Sequence, residues 1–263
     1  MGAPTIAIRG AGEMATGIAH RLYASGFRRI VMSEIAMPVS VRRKVAFSEA
    51  VYEKAVTVEG VRAELFTEPS GLLTLWEREV IAVVIDEEGS FLRELKPHVL
   101  VDAVMAKKRK EPITGMARLV IGVGPGFRAP DEVDAVVESN RGHNLGRVIY
   151  DGEAEAYTGT PGEMGGHTKE RVLRSPHAGM VRTAKTIGDA VLKGDIILYV
   201  DDTPVKAQID GVLRGLIRPI AVPEGEKVGD VDPRGNRDYC FTISEKARAI
   251  GGGVLEAIMH KLS

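Results

Sequence analysis

A glycine-rich turn close to the N-terminus has the residue types and the spacing needed to hold a phosphate group. The run GAGEMA, from Gly10 to Ala15, matches the dinucleotide-binding pattern G-x-G-x-x-G/A with alanine in the third position. Gly10 permits a tight turn, Gly12 lets the backbone approach a pyrophosphate, and Ala15 keeps the following helix near the sheet. The exposed N–H groups and the dipole at the start of that helix would attract the anion.

An acidic residue lies where a dinucleotide-binding unit needs one. Glu34 closes the second predicted strand, RIVMS, and lies twenty-two residues after Gly12. Its carboxylate suits the two hydroxyls of a ribose. The alternative is a packing turn with an incidental glutamate. We favour a nucleotide, because a strand precedes the turn and a helix follows it, as the pattern requires.

Three residues after later strands are candidates for catalysis. Asp102 lies in the apolar run VLVDAV and Lys107 follows it, so both are expected to face the crevice of the glycine turn. Asp102 could act in catalysis or form an ion pair at the strand end, and the sequence leaves both interpretations open. His143 lies in the polar segment RGHNLGR and could be an acid–base group, although a lone loop histidine is more often structural.

A second glycine turn, GVGPGF at 122–127, ends another predicted strand. It could wrap the ligand from the opposite side, or it could be a plain tight turn. The basic run at 42–44 could contact a further phosphate or form a solvated helix face. The predicted cofactor-binding residues are Gly10, Ala11, Gly12, Glu13, Met14, Ala15, Gly17, Glu34, Gly124 and Gly126.

The elements that must position these residues predict an α/β fold with two domains. Short, nearly continuous apolar strands alternate with helices up to residue 128, which is typical of a Rossmann-like parallel sheet covered on both faces. Residues 41–52 are predicted to be helical. Short strands and glycine turns then predict an all-β domain over 129–243. A last helix over 244–262 is expected to pack back on the first domain.

A weak internal repeat lies inside the predicted β domain. Residues 175–195 and 207–230 each place a glycine after a strand start and a Gly-Asp turn later. Two halves that cannot bury their own apolar faces would pack together, and the pattern resembles the barrel-sandwich hybrid of biotinyl and lipoyl carriers, over 175–233. Those carriers present a modifiable lysine at a hairpin tip. Here Lys206 falls beyond the tip, so we predict the fold without the carrier function.

Composition narrows the possible partners. The chain has 263 residues and a net charge of −1, which gives no overall field for nucleic acid or an anionic membrane. Cys240 is the only cysteine, which excludes an intramolecular disulfide and a cysteine-cluster metal site and suits the cytoplasm. The six histidines lack the close pairings that zinc or iron sites use, so no metal site is predicted.

Six segments together resemble one family. The sequence is similar to the selenium-dependent molybdenum hydroxylase system proteins, called YqeB, and related in theme to the maturation factors that deliver molybdenum cofactor to xanthine and CO dehydrogenases. The segments are 9–27 (RGAGEMATGIAHRLYASGF), 42–53 (RRKVAFSEAVYE), 120–127 (VIGVGPGF), 141–152 (RGHNLGRVIYDG), 158–176 (TGTPGEMGGHTKERVLRSP) and 245–257 (EKARAIGGGVLEA).

The resemblance implies an accessory or maturation protein for a selenium-dependent molybdenum hydroxylase of the xanthine dehydrogenase type. Its partners would be a hydroxylase subunit and other maturation proteins, with a homo-oligomer left open. The cofactor would be an NAD(P)-like nucleotide or a molybdopterin-type phosphate. A single, buried Cys240 would not carry sulfur or selenium as a persulfide.

Two other functions remain open, and whether the chain is an enzyme stays undecided. An NAD(P)-dependent oxidoreductase would use the same glycine pattern, but no known dehydrogenase motif surrounds the catalytic candidates. A non-catalytic scaffold would dock a hydroxylase through its β domain.

Overall fold

The computed structural model describes residues 3–104 and 113–262 of the chain. It divides into two compact units. Unit 1 contains Met1–Pro38, Ala46–Tyr157 and Ile243–Ser263, and unit 2 contains Val39–Val45 and Thr158–Thr242. The fold is mixed α/β, with a large parallel and antiparallel sheet and additional antiparallel sheets.

Unit 1 is built on a nine-stranded sheet in the order β10-β9-β7-β6-β1-β2-β5-β4-β3, with β8 and β11 forming a separate pair. The strands are β1 (Ile6–Arg9), β2 (Ile30–Glu34), β3 (Ala55–Val58), β4 (Val61–Leu65), β5 (Ile81–Ile85), β6 (Val99–Asp102), β7 (Leu119–Val123), β8 (Arg128–Ala129), β9 (Ala135–Val137), β10 (Val148–Ile149) and β11 (Gly152–Glu153). The helices are α1 (Glu13–Ala24), α2 (Ala50–Glu53), α3 (Pro69–Glu77), α4 (Ser90–Leu95) and α5 (Glu245–Leu262).

The seven central strands, β9 to β4 in the sheet order, run parallel, and the edge strands β10 and β3 run antiparallel to their neighbours. The parallel strands are buried nearly throughout, as expected for a sheet covered on both faces. Strands β2 to β5 all lie on one side of β1, and β6 lies on its other side. The strand order thus reverses between β1 and β6, and in α/β sheets the crevice at the carboxyl ends of two such strands is where ligands bind.

The predicted strand–turn–helix–strand unit at the N-terminus is confirmed. β1, α1 and β2 follow one another, and β1 pairs in parallel with β2 from Ile6 opposite Ile30 to Arg9 opposite Ser33. Helix α1 ends at Ala24, and Gly26 follows its C-cap residue Ser25 with a φ of 97°, as is typical after a helix.

Helix α5 contacts α1 through residues that lack bulky side chains. A Cβ added to Gly17 of α1 would lie 2.6 Å from the Cβ of Ala247. One added to Gly251 would lie 2.9 Å from the carbonyl oxygen of Gly17. On another side of α5, a Cβ on Gly253 would lie 2.2 Å from the carbonyl oxygen of Gly146. The glycines of α5 therefore allow close backbone approach on two sides.

The prediction of one helix over residues 41–52 is wrong. The segment forms two 3-10 turns, Arg43–Val45 and Phe47–Glu49, and the single short turn of α2. The chain leaves unit 1 here, because the carbonyl of Val41 accepts a hydrogen bond from the N–H of Leu216 in unit 2, at 2.8 Å. Tertiary pairing thus overrides the local helical pattern.

Unit 1 extends past the boundary predicted at residue 128. Strands β9 and β10 continue its large sheet, and the unit runs to Tyr157 before the chain enters unit 2. The C-terminal helix is α5, which belongs to unit 1.

Unit 2 contains two four-stranded antiparallel sheets, in the orders β12-β19-β17-β14 and β16-β15-β13-β18. Their strands are β12 (Val172–Arg174), β13 (Gly179–Thr183), β14 (Ala190–Val191), β15 (Ile196–Val200), β16 (Thr203–Lys206), β17 (Gly211–Leu216), β18 (Ala221–Val222) and β19 (Lys227–Asp232). Strands β13 and β14 of the first repeat pair with β18 and β17 of the second, respectively. Each sheet of unit 2 therefore contains strands from both halves of the repeat, and the two halves share one apolar core.

None of the helices in the described parts of the chain is long and apolar enough to cross a lipid bilayer.

Candidate functional site

The glycine turn joins β1 to α1 at the crevice between β1 and β6. Gly10 has a φ of 89°, a left-handed conformation that favours glycine. Gly12 is the N-cap residue of α1, with a φ of −68° and a ψ of −174°, which any residue adopts. Its backbone conformation therefore gives no reason for glycine at position 12. No described side chain caps the helix there, and Gly12, Glu13 and Met14 are half-buried.

Ala11 is the fixed point of this turn. Its N–H donates to Oε2 of Glu34 at 2.9 Å. Its carbonyl accepts hydrogen bonds from Oγ1 of Thr16 at 3.1 Å and from the N–H of Ser48 at 2.8 Å. Oγ1 of Thr16 also accepts from the N–H of Phe47 at 2.8 Å. These bonds brace the turn, and the sequence did not predict the part that Thr16, Phe47 and Ser48 play in them.

Glu34 stabilises the turn instead of standing free for a ribose. Besides Ala11, the N–H of Ile35 donates to its Oε1 at 2.9 Å. Burial raises the pKa of Glu34, and these two N–H donors offset only part of that effect. A carboxylate offers about four acceptor positions, so an ionised Glu34 can still accept from a ligand hydroxyl.

The helix residues of the predicted set divide into two groups. Ala15 is 1% exposed and packs α1 closely on the sheet, as the pattern predicts. Gly17 was predicted to bind the cofactor, but its environment gives it a packing role. It is buried against Ala247 of α5, and its lack of a side chain is explained by that contact.

Asp102 forms the strand-end ion pair that the sequence left open. Its Oδ2 lies 2.6 Å from Nη1 of Arg9, and its side chain is 2% exposed. Its Oδ1 accepts from the N–H of Val104 at 3.1 Å. Arg9 and Asp102 are register partners at the ends of β1 and β6, so the pair joins the two strands that border the crevice. Lys107, the other candidate from this segment, lies outside the described residues.

The second glycine turn is explained mostly by packing. A Cβ on Gly122 would lie 2.3 Å from Cγ of Phe127, whose ring folds back over the strand end. Gly124 is buried, with a φ of 77°, and its N–H donates to the carbonyl of Val137 at 2.9 Å. Gly126 is exposed, with a φ of 95°. Of the two predicted residues, only Gly126 presents its backbone to solvent.

Apolar side chains are exposed at the carboxyl edge of the sheet. Ile35 follows β2, Ile85 ends β5 and Val104 follows β6, and each is 43–44% exposed. Val104 also borders the turn, because its Cγ2 lies 3.5 Å from the Cβ position of Gly10. Exposed apolar groups beside a glycine turn of this kind suit a flat aromatic ring such as a nucleobase or pterin.

One cation near the turn was not predicted. Burial lowers the pKa of Lys246 in α5, and the charge of Arg141 lowers it further, whereas Glu13 and Glu138 act in the opposite direction. These effects place Lys246 within electrostatic range of Glu13 at the start of α1. The catalytic candidate His143 lies between β9 and β10, and its side chain is exposed.

The basic run after Glu34 has a structural role. Arg42 is 5% exposed and donates to the carbonyls of Tyr239 and Thr242, at 2.8 and 3.0 Å. Nε of Arg43 donates to the carbonyl of Leu216 at 3.0 Å. Both hold unit 2 together and belong to it, so neither the phosphate contact nor the solvated helix face is observed for them. Only Lys44 is exposed.

Cys240 is an inert thiol in this structure. It is 1% exposed, and burial raises its pKa despite the nearby charges of Arg42 and Arg214. Among residues 3–104 and 113–262, no group of three histidine, cysteine, aspartate or glutamate side chains is arranged to hold a metal ion.

Comparison with known proteins finds one extensive sequence similarity. Over 255 residues the chain is 47% identical to the uncharacterized protein YqeB of Escherichia coli (strain K12), covering 97% of this chain and 47% of the relative. The chain thus spans about half the length of the curated relative that it matches. This similarity supports the resemblance to the YqeB family. No family model matches the chain.

Solved structures give only weak similarities. The product-bound ectoine utilization protein EutE (DoeB) of Ruegeria pomeroyi is 15% identical with a TM-score of 0.28, over 87% of this chain and 85% of that one. An aspartoacylase family protein of Mesorhizobium loti is 18% identical with a TM-score of 0.24, over 24% and 23%. Similarities at this level carry no argument about function.

Proposed function

We propose that this chain is a YqeB-family accessory protein that binds a nucleotide or a pterin phosphate and assists maturation of a selenium-dependent molybdenum hydroxylase. The observation that carries the binding proposal is the turn from Gly10 to Met14. It opens a twelve-residue helix at the strand-order reversal, is held by hydrogen bonds through Ala11, and has a glycine at the N-cap, which has no side chain to cap the helix.

The phosphate would lie against the N–H groups at the start of α1, where the helix dipole favours an anion. A flat ring would contact the exposed Ile35 and Val104, and the sugar or pterin hydroxyls would reach Glu34. Lys246, near Glu13, would add positive charge beside the phosphate. The residues present therefore fit a phosphate-bearing heterocycle, with each part of the ligand matched to a separate group.

The link to a molybdenum hydroxylase rests on the six sequence segments that resemble the family and on the similarity to YqeB. In this proposal unit 1 is a Rossmann-like domain and unit 2 contains a barrel-sandwich hybrid. The pairing of strands from one repeat of unit 2 with strands from the other supports the assignment of a barrel-sandwich hybrid. The partners would be a hydroxylase subunit and other maturation proteins, in the cytoplasm.

An NAD(P)-dependent oxidoreductase is the second candidate, favoured by one observation. Glu34 ends β2, where dinucleotide-binding proteins place the acid that contacts the ribose. The candidate proton donors give it little support, since Asp102 is ion-paired with Arg9 and His143 is exposed in a loop.

Identification of the ligand that leaves the protein on denaturation tests the proposal. The full chain, purified from its native host, is denatured, and the supernatant is analysed by mass spectrometry. A pterin or a cytidine nucleotide supports maturation, and NAD or NADP supports the oxidoreductase. A chain that is empty, fails to bind added nucleotide and still captures a hydroxylase would contradict both and indicate a scaffold.

The variant Gly12→Asp ties the ligand to the turn. Aspartate is a favourable N-cap residue and the backbone angles at position 12 accept it, so the fold should be retained. Its carboxylate would repel a phosphate, and the released ligand should be absent. Gly12→Asn, of the same size but uncharged, separates charge from steric exclusion.

A further inference from the structure

Unit 2 contains a basic cavity that the proposed function does not use. Its volume is about 590 Å³, within the range of small-molecule sites in proteins. It is lined by Gly159, Pro161, Lys169, Val172, Leu173, Arg174, Pro176, Pro204, Val205, Lys206 and Gln208. All of these residues belong to unit 2.

The cavity is lined by two edge strands of unit 2, β12 from one sheet and β16 from the other sheet. All three residues of β12 line it, as do Pro204, Val205 and Lys206 of β16, and both strands are the last of their sheets. Prolines and branched aliphatic residues form the apolar part of the walls. Proline in β16 also limits the hydrogen bonds that this edge can donate to an added strand.

The charge of the lining has one sign. Lys169, Arg174 and Lys206 contribute positive charge, and Gln208 adds an uncharged amide, whereas within the described chain the lining carries no acidic side chain. Nη1 of Arg174 donates to the carbonyl of Gly225 at 2.8 Å, which orients its guanidinium. Guanidinium and ammonium groups that line one cavity without acidic neighbours in the lining favour phosphate or carboxylate groups.

We propose that this cavity binds a small organic anion, with an apolar ring against the prolines and aliphatic residues and a phosphate or carboxylate against the three cations. Its volume indicates a molecule of metabolite size. The three cations of the lining indicate that the molecule is an anion. The proposal does not depend on whether the glycine turn of unit 1 binds a nucleotide.

Binding of 1-naphthyl phosphate, followed by its fluorescence, tests this site in the full-length chain. The measurements use a Gly12→Asp background so that the turn of unit 1 does not contribute. We expect the wild-type cavity to bind 1-naphthyl phosphate at least tenfold more tightly than either inorganic phosphate or uncharged 1-naphthol. Inorganic phosphate binding as tightly as the naphthyl ester would contradict the role of the apolar walls.

Charge reversal at the cavity provides the site-specific comparison. Lys169→Glu and Lys206→Glu should each weaken binding about tenfold or more, because they place a carboxylate beside the phosphate. Lys193→Glu is the matched control, since Lys193 is exposed on the same unit and lies outside the lining; it should change affinity less than twofold. An equal loss in the control would mean diffuse attraction and would overturn the proposal. Displacement of the dye by a hexaglutamate peptide at lower concentration would indicate a peptide site instead.

Discussion

Three consecutive glycines in α5 give a quantitative test of how closely this helix packs on the rest of unit 1. A Cβ on Gly252 meets no atom within 4 Å, whereas one on Gly253 would lie 2.2 Å from the carbonyl oxygen of Gly146 and 2.8 Å from Cγ1 of Val137. Replacing a helix glycine by alanine contributes about 0.5–1 kcal/mol through backbone entropy. Gly252→Ala should therefore raise the free energy of unfolding by about that amount.

Gly253→Ala gains the same entropy but forces a backbone carbonyl to move, and overpacking of this kind costs about 1–3 kcal/mol. The entropy term cancels between the two alanine variants, so their difference measures the close contact alone. Urea unfolding, followed by circular dichroism on both variants, gives that difference. We expect Gly253→Ala to be less stable than Gly252→Ala by about 1–3 kcal/mol. Equal stability of the two variants would refute the close packing of α5 against the 144–146 loop.

Three further changes probe the charged and reactive groups. Asp102→Asn keeps the hydrogen bond from Val104 but loses the ion pair with Arg9. It should lower the free energy of unfolding by about 1–3 kcal/mol, because the arginine is partly exposed and this limits the loss. An unchanged midpoint of urea unfolding would contradict this prediction. Burial alone would raise the pKa of Glu59, but hydrogen bonds from Ile243 and Arg248 outweigh it and lower the pKa. The stability that Glu59 contributes is therefore present above its unfolded pKa of about 4.3 and lost as pH falls below it. The melting temperatures of wild type and Glu59→Gln should therefore converge as the pH is lowered. A difference in melting temperature that widens in acid would refute the lowered pKa of Glu59. Cys240 should react with a disulfide reagent only as fast as the protein opens, and rapid labelling of the native chain would show that its burial is wrong.

The sequence predicted the part of the site that depends on local chain geometry. The strand, the turn and the start of the helix follow from apolar patterning and from glycine at position 10, whose left-handed backbone the structure confirms. The position of Glu34 at the end of β2 was also predicted. Its contact with Ala11 was not, because strand pairing sets the direction of that side chain.

The rest required contacts between residues far apart in the chain. Gly17 extends the ligand pattern in the sequence, whereas in the structure it packs against α5, which follows more than two hundred residues later. The segment 41–52 carries a helical pattern, yet its first residues belong to unit 2, where the carbonyl of Val41 pairs with the N–H of Leu216. Thr16 and Ser48 fix the turn through bonds to one carbonyl, and nothing in their local sequence indicates it.

The central claim is that the N–H groups at the start of α1 bind the phosphate of a nucleotide or pterin. Amide chemical shifts measured by NMR, with ADP titrated into the wild-type chain and into Gly12→Asp, test it most directly. The claim predicts that the amides of Gly12, Glu13 and Met14 shift most in the wild type, with saturation, and that no such shift occurs in Gly12→Asp. Wild-type amides that stay unmoved while ADP binds elsewhere, or equal shifts in both proteins, would contradict it.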